Sequence, residues 1–288
     1  MEQSKTPVLL IAYSKYEICQ KVFDAISLYK PTKFFFYVNA VDSNDLKVIN
    51  NNKLIRELEK KINWTCKYEK FFRSQPVDIY TSLRSAIDWF FSNVNNGVIL
   101  EEDAIPNIDF FKYVDHYKNI DFKNFDLIIS GNNYFPNITN VDSFTKELQI
   151  YGWHTTKNVW QDVYNLKWDV KDYILKCILR YNPLLTMYFL VLFINGKKHN
   201  DLFLAWDLQL QYNIIMTKKK CLRPMNNLCT NAGVNGYHQN REQYYHNVNL
   251  GEWKLLSKKM PANNNILDVI SIVARIINSF LNKFNKLF

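Results

Sequence analysis

Gly97-Val98-Ile99-Leu100-Glu101-Glu102-Asp103 joins a short apolar run to three adjacent acids, and no Lys or Arg follows until Lys112. An apolar run of this length predicts a buried strand. Three like charges at the end of a buried strand repel one another unless a cation joins them. The stretch therefore asks which sheet the strand enters, and which cation the acids meet.

Upstream of it the chain alternates. Val8 to Tyr13 is a continuous apolar run, as in a buried parallel strand. Tyr16 to Tyr29 predicts a helix with Ile18, Val22, Phe23, Ile26 and Tyr29 on one face, ending at Lys30-Pro31. Lys33 to Val38 is a second strand, Asp45 to Lys61 a charged amphipathic helix and Trp64 to Phe71 a third strand. Ser82 to Val94 is the helix that delivers the chain into Val98-Ile99-Leu100. Strand and helix in alternation predict an α/β domain with a mostly parallel central sheet flanked by helices. Ligands of such sheets bind at the carboxyl ends of strands, which is where Glu101, Glu102 and Asp103 fall.

Downstream, Phe125 to Ser130 is another strand, and the periodicity then weakens. Residues 173 to 194 form a hydrophobic segment broken at Pro183, which packs on the core, covers the acceptor side or meets a membrane. Ala205 to Met216 has helical character. The tail repeats Ile266, Ile270, Val273, Ile277, Phe280 and Phe284 at a 4-3-4-3-4 spacing, predicting an amphipathic helix in the segment 261–288. Such a helix suits either a membrane interface or pairing with another subunit.

The 288 residues suit one large domain or a core domain with an appendage. The 36 basic against 27 acidic residues give a charge of +9, which fits an anionic partner or a solvated basic surface. Nucleic acid is not expected, because no helix-turn-helix, zinc-finger or aromatic RNA-binding motif occurs. Five scattered cysteines without a C-x-x-C support neither a zinc site nor a disulfide framework, and fit a reducing cytoplasm. The N-terminal apolar run reads as a strand and not a signal peptide, and the longest apolar block, 184–194, is too short to span a bilayer. The expected location is the cytoplasm, including the inner face of its membrane.

A carboxylate cluster beside a strand end suits a hard divalent ion, Mg²⁺ or Mn²⁺. Such an ion neutralises charge that grows on a diphosphate leaving group. The competing reading is a solvated acidic loop.

Ala86-Ile87-Asp88-Trp89-Phe90-Phe91, the acidic stretch, Pro106 and Phe110-Phe111 together resemble bacterial nucleotide-sugar glycosyltransferases related to the N-acetylglucosaminyltransferase I family, which have the GT-A fold. In that family a helix ends in Asp-Trp-Phe-Phe and a strand ends in Ile-Leu-Glu-Asp-Asp, a variant of the DxD motif. Thr6 to Tyr13 and Val22 to Ile26 are similar to its first strand and helix. Gly152-Trp153 with Trp160 is similar to its Trp-Gly-Trp-Ala-Thr-Trp segment, and Trp206-Asp207, Pro224, Asn227-Leu228, Asn231, Gly233 and His238 follow in the same order. The resemblance implies a GT-A domain over 1–260, with a nucleotide-sugar-binding half at 1–130 and an acceptor-binding half at 131–260.

What the resemblance implies goes residue by residue. Asp103 matches the metal-binding acid, and His238 a histidine that completes the coordination of Mn²⁺ or Mg²⁺. Glu101 and Glu102 match the donor-binding acids, and Ala12, Tyr13 and Asn39 line the donor site. Asp207 matches an acid facing the acceptor, a base for single-displacement inversion. Without the resemblance, Asp207 reads as a first-turn helix acid. Trp153, His154 and Trp206 belong to the sugar or acceptor pocket, or the tryptophans are core residues. The chain departs from the pattern at Asn39-Ala40, where relatives carry Asp-Gly, and at His154-Thr155-Thr156, where they carry Ala-Thr-Trp.

The expected activity is transfer from a nucleotide-diphosphate sugar, a UDP-sugar, to a glycan or lipid-linked glycan of a surface polysaccharide. Two alternatives stand beside it. A nucleotidyltransferase would also use acids and Mg²⁺, but presents a Gly-rich phosphate loop where this chain has Tyr13-Ser14-Lys15-Tyr16. A non-catalytic binding module would be expected to lose acids that are present here.

Overall fold

The computed structural model describes residues 5–118, 120, 127–133, 141–164, 206–217, 219–233, 249–254 and 261–263. The first part of the chain runs β1 (Val8–Ala12), α1 (Tyr16–Tyr29), β2 (Lys33–Val38), α2 (Leu46–Glu57) with a 3₁₀ turn at Leu58–Lys61, β3 (Lys67–Phe72), α3 (Ile79–Asn93) and β4 (Asn96–Glu101). Then come β5 (Ala104–Pro106), α4 (Ile108–Tyr117), β6 (Leu127–Ser130), β7 (Ser143–Thr145), β8 (Trp153–Thr156), α5 (Lys157–Tyr164), α6 (Trp206–Thr217), β9 (Lys220–Arg223), β10 (Cys229–Asn231) and β11 (Ala262–Asn263).

Nine strands form one sheet in the order β11-β7-β9-β6-β8-β4-β1-β2-β3. The run β3-β2-β1-β4 is parallel throughout, with Leu9 between Phe35 and Ile99 in register. β8 runs antiparallel between β4 and β6, so β6 and its parallel neighbour β9 point the same way as β1. The sheet is therefore mixed but mostly parallel, with helices on both faces. A separate antiparallel ribbon of β5 and β10 stands at the carboxyl end of β4.

The sequence of β2, Lys-Phe-Phe-Phe-Tyr-Val, explains how both faces are covered. Side chains alternate across a strand. Phe34 and Phe36 join Phe23 and Ile26 of α1 on one face, while Phe35 and Tyr37 join Leu83, Ile87 and Phe90 of α3 on the other. Edge-on contacts of Phe35 with Trp89 and Phe90 are the favoured aromatic geometry. Gly97 is required where α3 crosses β4, because a Cβ there would sit 2.2 Å from the Phe90 ring. Asp88 fixes the same helix sideways by accepting a 2.7 Å hydrogen bond from the Trp160 indole of α5.

The tail departs from expectation at its start. Ala262 and Asn263 pair with Ser143 and Phe144 as an edge strand, so 261–263 is not helical, and 264–288 lies outside the described residues. The hydrophobic segment 173–194 lies outside them too. Among the described residues no helix is long and apolar enough to cross a membrane. The four described cysteines, Cys19, Cys66, Cys221 and Cys229, are free thiols.

Candidate active site

The parallel strands β1, β2 and β4 all end on one edge of the sheet, and that edge carries the acids. Glu101 is the last residue of β4, in register with Ile11 of β1. Glu102 turns inward and is buried. One of its oxygens, Oε2, accepts the backbone N–H groups of Tyr13, Ser14 and Lys15 at 2.7, 2.9 and 3.1 Å. Lys15 occupies the N-cap position of α1 but has no side-chain acceptor to offer. Glu102 thus does from the distant turn after β4 what an N-cap acid does locally: it satisfies the open donors before the helix. Burial pushes its carboxyl above the ordinary carboxylate pKa, while the Tyr13 and Lys15 N–H groups and the Lys15 ammonium pull it back.

Asp103 turns the other way and answers the question of the cation, for its Oδ2 lies 2.7 Å from the Lys15 ammonium. Burial works against that ammonium, yet Asp103, Glu102 and Glu101 together hold its pKa above the usual lysine value. The peptide around Asp103 is held by the far part of the chain. Its carbonyl accepts from Ala232 N–H at 2.9 Å, and Asn231 pairs with Ala104 in the ribbon. Gly233 approaches so closely that a Cβ there would lie 2.4 Å from Asp103 Oδ2 and 2.8 Å from Asn231 Oδ1. A side chain at 233 would crowd both oxygens; with glycine there, Asn231 Oδ1 accepts the Gly233 N–H at 2.6 Å and Asp103 Oδ2 keeps the Lys15 ammonium.

The donor-side positions Ala12, Tyr13 and Asn39 meet at the same edge. Asn39 N–H donates to the Ala12 carbonyl at 3.1 Å, joining the ends of β2 and β1. Asn52 of α2 bridges the Tyr13 and Asn39 carbonyls at 2.5 and 2.9 Å. The Asn39 amide itself donates to the Val77 carbonyl at 2.8 Å, so its side chain is committed to the loop before α3.

The acceptor-side positions are placed differently. Trp153 is buried beside Trp160, and His154 is buried between β4 and β6 with its ring toward Asn96, so neither faces an open pocket. The reason is topological: β8 is an interior strand whose two faces are both covered. Asp207 and Trp206 begin α6, whose residues Leu210 and Ile214 dock on the same core as Trp153; their own side chains lie outside the described residues, as does His238.

The donor set fits a hard ion in one respect. Asp103 and Asn231 present carboxylate and amide oxygens, the chemistry of Mg²⁺ and Mn²⁺. Among the described residues no cluster of three or more His, Cys, Asp and Glu converges on a metal position. An ion here would rely on few protein oxygens plus phosphate and water, as Mg²⁺ usually does.

Lys15 and Asn231 are site residues to which the motif reading assigns no role. Lys15 is visible only as the basic residue of a glycine-free loop, and its partner lies 88 positions away.

Glu102→Ala removes the acceptor of three N–H groups and is expected to lower unfolding free energy by about 2–3 kcal/mol. Glu102→Gln keeps one oxygen and should cost less. Urea unfolding measures both, and wild-type stability in the alanine variant would show that the clamp contributes nothing.

No protein-family model matches this chain, and no curated protein sequence aligns with it. Several solved structures share part of the architecture. The crystal structure of HddC from Yersinia pseudotuberculosis matches with a TM-score of 0.35 at 8% identity, over 55% of this chain and 79% of that one. The mannosyltransferase PcManGT from Pyrobaculum calidifontis, in complex with GDP-Man and Mn²⁺, matches with 0.38 at 11% identity, over 56% and 47%. An apo UDP-glucose pyrophosphorylase matches with 0.37 at 7% identity, over 76% and 90%. At these values none of the three bears on the chemistry at the acid turn.

Proposed function

We propose that the chain is a GT-A glycosyltransferase that uses a divalent cation and moves a sugar from a nucleotide diphosphate to a glycan acceptor. The observation that carries this reading is the division of labour among adjacent acids. Glu102 clamps the β1–α1 loop, while Asp103 is left partly exposed beside Asn231 and Lys15 where three parallel strands end. The acidic motif and the preceding Asp88-Trp89-Phe90-Phe91 helix end support it from the sequence side.

In this reading Asp103, with Asn231 beside it and His238 from the sequence pattern, would hold Mn²⁺ or Mg²⁺. Its chemistry there is to neutralise the charge growing on the diphosphate leaving group. Glu101 binds donor hydroxyls, and Tyr13 and Asn39 border the nucleotide. Asp207, in the first turn of α6, takes the proton of the acceptor hydroxyl. That oxygen attacks the anomeric carbon as the bond to the diphosphate breaks, with inversion. The acceptor fits a surface glycan or its lipid-linked precursor, met at the inner face of the cytoplasmic membrane.

A nucleotidyltransferase is the second reading, favoured by one observation: Lys15 places a cation at the phosphate edge despite the lack of glycine. Products decide between them. Incubation with nucleotide-sugars and Mn²⁺ should release nucleoside diphosphate, whereas nucleotidyl transfer from a triphosphate and a sugar phosphate would release pyrophosphate. Thermal-shift titration of UDP- and GDP-sugars with and without Mn²⁺ locates the donor. Asp207→Asn should keep that shift and lose turnover by about 10²-fold or more; full turnover removes Asp207 from the mechanism.

A further inference from the structure

We infer that Lys15 is an exchangeable counterion: it holds the Asp103 carboxylate until a divalent cation arrives, and then moves onto the diphosphate of the donor. This rests on the metal-dependent reading above. Two observations and one electrostatic argument support it. The ammonium is 2.7 Å from Asp103 Oδ2, the oxygen that any side chain at position 233 would crowd. An ammonium and a divalent ion at one carboxylate oxygen repel strongly, so the two positions exclude each other. The pair is only partly exposed, at 28% for Lys15 and 19% for Asp103, so the exchange is not masked by bulk water but remains open to ligand.

The anchoring of the loop makes the exchange local. The Lys15 peptide is tied to Glu102 by its own N–H, and its carbonyl accepts from Cys19 N–H in the first turn of α1. The backbone therefore stays in place, while four rotatable side-chain bonds let the ammonium swing. A charged lysine released at the edge where the phosphates enter is a point-charge phosphate binder. Metal and nucleotide then help one another: the metal frees Lys15, and the diphosphate gives Lys15 its new partner.

The test is Mn²⁺ binding to the full chain by electron paramagnetic resonance of the free ion, with and without UDP. It is run on wild type, Lys15→Met and Lys15→Arg, with circular dichroism confirming that each is folded. Lys15→Met should bind Mn²⁺ about tenfold more tightly than wild type without nucleotide, and UDP in the presence of Mn²⁺ about tenfold more weakly. Lys15→Arg, which keeps the charge, should stay near wild type in both. Equal Mn²⁺ affinity in wild type and Lys15→Met, with UDP still binding both, overturns the counterion role and leaves the transferase reading standing. Absence of any Mn²⁺ or UDP binding to wild type and to Lys15→Met overturns both.

Discussion

Arg223→Met should lower stability by about 3–5 kcal/mol, the cost of leaving a buried charge without its partner. Arg223 ends β9 and its Nη2 donates to Glu147 Oε2 at 2.8 Å. The two side chains are 1% and 3% exposed, so water cannot take over when one is removed. Glu147→Leu should cost a similar amount by stranding the guanidinium. The double variant should recover much of the loss, since a buried pair replaced by apolar groups is often neutral. In a chain of this size the single variants should melt on the order of 10 °C lower. Additive losses in the double variant would show that the two side chains act independently.

The second large effect is on acid stability. His154 is 3% exposed, and burial together with the Lys118 ammonium pushes its pKa down to about 3, from an ordinary 6.5, against a smaller pull from Asp115. Between those values the unfolded chain binds a proton that the folded protein refuses. Stability from this group is thus complete above pH 6.5 and is lost as pH falls toward 3. One proton corresponds to a slope of about 1.4 kcal/mol per pH unit across the window, or up to about 5 kcal/mol in all. Urea midpoints at successive pH values should show this slope, and His154→Asn should remove it. A variant with the wild-type slope would place the titrating group elsewhere.

The parallel half of the sheet was legible because its residues obey simple periods. The readings of Tyr16–Tyr29 and Lys33–Val38 coincide with α1 and β2, and Ala205 to Met216 falls within one residue of α6 at each end. The charged helix from Asp45 to Lys61 is shorter than its pattern: it starts after the Asp45 cap and tightens to a 3₁₀ turn at Leu58–Lys61. The third strand starts at Lys67, three residues later than the apolar pattern. α4 lies in reach of the same rules, with Asn107 as its cap and Phe110, Phe111, Val114 and Tyr117 on its buried face, although the sequence reading assigns no element there.

β8 and β9 escape those rules. Trp153-His154-Thr155-Thr156 and Lys220-Cys221-Leu222-Arg223 place polar groups inside the sheet, where only partners distant in sequence satisfy them. Thr155 reaches the Leu127 carbonyl, and Arg223 reaches Glu147. The site follows the same division. The acids announce themselves by charge, but the opposite orientations of Glu102 and Asp103 come from residues 13–15 and 231–233, which no local pattern reveals.

That two-sided grip also orders events during folding. The Glu102 clamp closes within the first 102 residues, so the nascent chain can form it early. The ribbon that backs Asp103 needs residues 229–231, and so waits on a much longer loop closure. Synthesis from the N-terminus thus leaves a period in which the loop is set but the Asp103 side is unfinished. Competence at the acid turn thus waits for β10, and a fragment ending after β6 would carry the clamp without it.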